Sequence, residues 1–198
     1  MSTRPYTSPL RERQTAETRA AILEALGAEL AAGGLEEFSI ARLARRAGVS
    51  ERTVFRHFPT RETLLDGLSQ WFNDRVADFP HNVSAEAIPA TIAQVFADFD
   101  EHEALARAVL ASPGGREFRR HARAARLARL EAALAPVLDG ADADRAAAAR
   151  ALVFALCSAR TWQAMRDEGG LDGAAAGRAV AHAIQLILDD TTSTKKEP

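Results

Sequence analysis

Apolar residues recur three and four positions apart along most of the chain, and nowhere do they alternate with polar residues over the length of a strand. This spacing predicts an all-α protein of about nine helices. A first helix over 12–32 places Ile22, Leu23, Leu26 and Leu30 on one face and stops at Gly33-Gly34, after which Leu35 and Phe38 return the chain to the core. Ser39 caps a short second helix with Ile40, Leu43 and Ala44 facing inward, and Gly48 breaks it after Ala47. Ser50 caps a third helix over 51–57, with Val54 and Phe58 inward and Pro59 ending it. Thr60 then caps a fourth over 61–77, which buries Leu64, Leu65, Leu68 and Phe72 and is closed by Pro80. Further helical patterns cover 89–100, 103–111, 116–138, 144–167 and 174–188. The polar stretch 191–198 reads as a disordered tail. A head over 1–62, a helical body over 63–190 and that tail are the expected divisions.

Composition changes this picture little, because 47% hydrophobic and 26% charged residues are ordinary for a packed protein. The longest apolar run, 151–157, is far shorter than the ~20 residues that span a bilayer. Arg4, Arg11, Glu12 and Arg13 interrupt the N-terminus where a secretory signal needs an apolar stretch, so a cytoplasmic protein is expected. The single cysteine, Cys157, lies among Leu156 and Ala159 and reads as a buried small hydrophobe.

Charge changes it more. The net value of −2 hides a division along the chain. Residues 39–61 hold Arg42, Arg45, Arg46, Arg52, Arg56 and Arg61 against Glu51 alone, a local charge of +5, whereas the chain beyond Glu62 is mildly acidic. A compact basic patch on such a body suits a partner with a phosphate backbone.

The patch coincides with a helix-turn-helix pattern. Ala44 is small where two helices must approach, Gly48 permits the sharp turn, and Val49 and Val54 lock the pair. The outer side of the third helix is then left with Glu51, Arg52, Thr53, Arg56 and His57, a polar and basic surface suited to a major groove. The stretches Phe38-Ser39-Ile40-Ala41-Arg42-Leu43-Ala44, Ala47-Gly48-Val49-Ser50, Thr53-Val54-Phe55-Arg56-His57-Phe58 and Arg61-Glu62-Thr63-Leu64-Leu65 resemble the head of TetR-family repressors. The resemblance covers about 13–65. It implies that Arg52 and Thr53 approach base edges in double-stranded, palindromic operator DNA, while Ser39, Ser50, His57 and Arg61 contact or neighbour phosphates. Arg56 belongs to the same face. Arg61 stands where the family usually has Lys, which keeps the charge. Phe55 stands where it commonly has Tyr, so a phosphate-reaching hydroxyl is replaced by a ring that packs or meets a thymine methyl.

One recognition helix covers few base pairs, so a homodimer is expected. Leu152, Leu156 and Ala159 on one late helix, and Val180, Ala183, Ile184 and Ile187 on the last, supply its interface, as a four-helix bundle in the manner the resemblance implies. Their alternative is packing inside one subunit. The resemblance further implies a pocket in the body for a small-molecule effector that releases the operator. Trp71, Phe72, Phe96, Phe99, Phe118, Trp162 and Met165 are its candidate lining, set against ordinary core. Arg116, Arg119, Arg120 and Arg123 recur on one helical face, read as a solvated rim or, alternatively, as a seat for an anionic effector or acyl carrier. Constellations for metal binding or nucleophilic catalysis are missing, and His81, His102, His121 and His182 are scattered; no metal, cofactor, catalytic residue or membrane partner is expected. A ligand-binding or scaffolding dimer without operator binding is the main rival reading, and an enzyme the lesser one.

Overall fold

A computed structural model describes residues 9–32, 39–76 and 82–193, the side chains of 192 and 193 left aside. Among these residues the chain is all-α, with ten helices, one 3-10 turn and no strand. The helices are α1 (Pro9–Ala31), α2 (Ile40–Arg46), α3 (Glu51–His57), α4 (Arg61–Val76), α5 (Ile88–Glu101), α6 (Glu103–Ala111), α7 (Pro113–Leu138), α8 (Ala143–Leu156), α9 (Ala159–Asp167) and α10 (Gly173–Ser193); the turn Ala85–Ala87 precedes α5.

Short side chains set most of the helix starts. Ser39 accepts a hydrogen bond from Arg42 N, and Ser50 accepts one from Thr53 N. Thr60 and Thr63 cap each other, each backbone N–H donating to the other's hydroxyl at 3.1 Å. Ser112 accepts from Gly115 N, with Pro113 at the first helical position, so α7 starts three residues before the expected 116. The Gly33-Gly34 stop, Leu35, Phe38, Ala77, Phe79, Pro80 and His81 lie outside the described residues, as does 194–198.

Two expectations are corrected. The segment 144–167, expected as one helix, is two, which makes ten helices rather than nine. Ser158 is extended there; its hydroxyl donates to Ala155 O at the end of α8, and its Oγ accepts from Thr161 N at the start of α9. Apolar spacing continues across this break, so periodicity alone passes over it. The last helix also runs beyond 188, to Ser193, so the start of the expected tail is helical. Thr191 is buried, its hydroxyl donating to Leu188 O.

The fold has two apolar centres that run into one another. Near the N-terminus, Ile22, Leu26, Leu43, Ala44, Val54, Phe58 and Leu64 bury α1, α2, α3 and the start of α4 together. In the body, α10 lies along α5 and buries Ala176, Val180, Ile184 and Leu188 at a strict spacing of four. Gly177 makes this approach possible, since a Cβ there would stand 2.7 Å from Ala93 O of α5. A Gly177→Val variant is expected to lose about 1–3 kcal/mol by overpacking and melt roughly 2–12 °C lower. Circular dichroism on heating checks this, and an unchanged midpoint would mean that α10 slides without cost.

Asp100 holds the same region by polar contacts. Its carboxylate accepts from Nε1 of the fully buried Trp162 (2.8 Å), from Arg166 (2.6 Å) and from Gly173 N (2.6 Å), so α5, α9 and the start of α10 meet on one side chain.

Candidate DNA interface and ligand cavity

The turn between α2 and α3 needs its glycine. Gly48 has φ of +68°, and Val49 N donates to Ala44 O at 3.0 Å, turning the chain so that Val54 and Phe58 pack inward. This arrangement leaves Glu51, Arg52, Phe55 and Arg56 exposed on α3, Phe55 at 50%, with Thr53 and His57 half-buried. Ser39 and Ser50 are exposed beside it. The Ser50 and Thr53 hydroxyls lie 2.9 Å apart, so Thr53 is held in one orientation at the first turn of α3.

The six arginines of the basic patch separate into two sets. Arg42 and Arg46 both pair with Glu29 of α1, at 2.7 and 2.9 Å, and tie α2 to α1. Arg61 meets Glu117 of α7 through two hydrogen bonds, of 2.7 and 2.5 Å. The pairing with Arg61 holds the Glu117 carboxyl below the usual carboxylate range. Arg45, Arg52 and Arg56 are exposed and form no ion pair among the described residues. The exposed field is therefore narrower than the local charge of +5 suggests. Arg45, which helical spacing does not single out, belongs to it. Burial, with the Arg56 and Arg19 charges, lowers the pKa of His57 and favours its neutral form.

In the body, a cavity of about 180 Å³ lies between α4, α5 and α7. Phe72, Ile92, Val95, Phe99 and Leu130 form much of its apolar wall. Of the aromatic candidates, Phe72 and Phe99 reach it. Phe118 stacks behind Phe72 at a centroid distance of 5.4 Å, and Phe96 and Trp162 pack on Phe99 from the core side. Trp71 points to α1, where a Cβ at Gly27 would strike its ring, and Met165 is half-buried on α9, away from the cavity lining. The wall also contains polar residues that aromatic content did not mark: Ser69, Asn73, Arg119, Arg126, Arg129 and His121, the last 2.7 Å from Asp66. Cys157 lines it too, and burial pushes its thiol up to about 12, so it stays protonated.

The candidate dimer residues divide by depth. Val180 and Ile184 are buried inside the subunit against α5. Leu152 is 51% exposed, and Leu156, Ala159, Ala183 and Ile187 are half-buried. Leu186, absent from the sequence-based set, is 56% exposed and shares with Leu152 and Ile187 a shallow groove between α8 and α10.

Residues 22–68 match the family described as "Bacterial regulatory proteins, tetR family". Over these residues, from late α1 to mid α4, the chain is similar to the head of that family. Nucleoid occlusion factor SlmA of Alteromonas mediterranea is 36% identical over 56 residues, covering 28% of this chain and 29% of that one. The same factor from Escherichia coli O1:K1 / APEC is 36% identical over 66 residues, 32% of this chain and 33% of the relative. The chain thus aligns with about a third of the length of these curated relatives. Fold similarity extends further. FadR from Bacillus subtilis, in complex with stearoyl-CoA, superposes with a TM-score of 0.58 at 18% identity, covering 83% of this chain and 96% of that one. The SmeT–triclosan complex gives 0.56 at 20% identity, covering 89% and 90%. The all-helical fold beyond the matched segment is therefore similar to that of these two proteins.

Within the matched residues, α2 and α3 are the helix pair that the sequence pattern predicts, with Arg52 and Thr53 at the outer start of the second helix. Arg61 lies at the start of α4, where its guanidinium faces Glu117.

Proposed function

We propose that the chain is a transcriptional regulator, acting on genomic DNA in the cytoplasm as a repressor that a small-molecule effector releases from a palindromic operator. The observation that carries this reading is the outer face of α3: exposed Arg52, Phe55 and Arg56 around an oriented Thr53, on a helix whose opposite side is locked into the head by Val54 and Phe58. In the proposed division, the head comprises residues 1–62 and the effector-binding and dimerising body 63–190. Arg52 and Thr53 read base edges, and Ser39, Ser50 and His57 neighbour phosphates. Two copies associate through the outward faces of α8 and α10, centred on Leu152, Leu186 and Ile187, which places two α3 helices on one side of the duplex.

The Arg61–Glu117 pair joins the head to α7, the helix that also supplies the cavity's arginines, and so gives occupation of the cavity a physical route to α3. It also sets Arg61 a choice between Glu117 and a DNA phosphate. Glu117→Gln removes a negative charge from the head's basic side and is expected to tighten binding to any duplex by about 3–10-fold and to steepen its salt dependence by about one ion. Fluorescence anisotropy across a salt series measures both, and an unchanged slope would remove Arg61 from the contact set.

An electrophoretic shift with DNA upstream of the protein's own gene tests the reading as a whole. A saturable, salt-sensitive shift by a species that light scattering shows to be a dimer is the expected result. No shift at low salt would favour a scaffolding dimer.

A further inference from the structure

Six arginines gather where α7 meets the start of α9: Arg116, Arg119, Arg120, Arg123, Arg126 and Arg160 line a depression of about 260 Å³. Arg119, Arg126 and Ala159 also line the apolar cavity, so the depression is the cavity's outer rim. Like charges packed this closely call for an anion, yet none of the six forms an ion pair among the described residues. The carboxylates nearest along the chain are committed elsewhere, Glu117 to Arg61 and Glu131 to Arg150. Asp66, the carboxylate in the cavity wall, is bonded to His121.

The two arginines shared by rim and cavity are also the more deeply placed ones. Arg126 lies over the Phe154 ring at 4.8 Å, with its buried Nε lacking a hydrogen-bond partner, and Arg119 donates one Nη to Val109 O. Burial and the surrounding arginines lower the pKa of both, which marks unfavourable positive charge that a guanidinium does not relieve by losing its proton. Behind them the wall is Phe72, Ile92, Val95, Phe99 and Leu130. An engineered cavity of about 150 Å³ holds benzene, so this chamber of about 180 Å³ takes an apolar body of roughly six to ten carbons.

We infer that the cavity binds a single-chain amphiphile with an anionic head, its apolar chain among Phe72, Val95 and Phe99 and its carboxylate or phosphate on Arg119, Arg126 and the outer arginines. This deepens the proposed effector-binding role and rests on it for the regulatory consequence, although binding itself is a separate measurement. The sequence alone left the arginine stripe between a solvated rim and a ligand seat. Its continuity with an apolar chamber is what distinguishes the two.

Isothermal titration of the full-length protein, without DNA, tests the inference with four probes: decanoate, decanoyl-coenzyme A, decanol and coenzyme A. Decanoate or decanoyl-coenzyme A should bind at least tenfold more tightly than both decanol, which lacks the charge, and coenzyme A, which lacks the chain. The stronger of the two identifies a bare carboxylate or a phosphate-bearing head. Arg119→Gln should weaken that probe tenfold or more, and so should the exposed pair Arg123→Gln/Arg160→Gln if the head carries phosphates. Neither change should shift the melting temperature of the free protein by more than a few degrees. Equal binding of decanol, no binding by any probe, or unaltered affinity in both variants overturns the inference. A bound probe that leaves the operator shift untouched instead overturns the regulatory reading, and the site stands.

Discussion

Asp100→Ala is expected to destabilise the protein by about 2–5 kcal/mol. Trp162 is fully buried, so its Nε1–H, now donating to Asp100 at 2.8 Å, has no water to turn to. An unsatisfied buried donor costs about 1–3 kcal/mol. Gly173 N loses the acceptor that caps the start of α10, for about 1 kcal/mol more. Arg166 loses its shorter ion pair but keeps Glu103 at 3.1 Å and is partly exposed, so its share is well below that of a buried pair. For a chain of this length the midpoint should fall by roughly 4–20 °C. Asp100→Asn keeps a carbonyl for one of the donors and should lose about half as much. Urea denaturation followed by circular dichroism measures both, and an Ala variant within about 1 kcal/mol of the parent would show that the three donors find other partners.

Asp100 illustrates which parts of the molecule the sequence displays and which it does not. Ser39, Ser50 and Thr60 announce α2, α3 and α4 because a cap acts within three residues, and the helix-turn-helix follows from Gly48 and the inward Val54. Contacts made across the fold leave no such mark. Glu29 stands 17 positions before Arg46, and Arg61 stands 56 before Glu117, so a count of local charge records six arginines without showing that three are already paired. Aromatic content fails for a related reason. Helical spacing tells which side of a helix faces inward but not whether it meets core, another helix or a cavity, and Trp162, Trp71 and Phe99 have these three separate fates. The same depth problem mixed Val180 and Ile184, which pack on α5, with Ile187, which faces outward, while Leu186 went unmarked.

Replacing Arg52 and Thr53 together by Ala is expected to weaken binding to the operator by about 100-fold or more and binding to a scrambled duplex by much less. Each side chain that reads a base edge contributes about 1–3 kcal/mol of discrimination. The fold of the head should survive, because the cap of α3 uses the backbone N–H of residue 53 on Ser50, and the inward Val54 and Phe58 are untouched. Arg45→Ala provides the contrast. As an exposed cation outside the recognition helix, it should lower affinity for operator and scrambled duplex alike, by less than tenfold, and reduce the salt slope by about one. Anisotropy titrations on both duplexes, using an operator selected from genomic fragments, separate the two kinds of contact. Equal losses on both duplexes from the double variant would place Arg52 and Thr53 on the backbone rather than on bases, and no loss on either would take α3 out of the groove altogether.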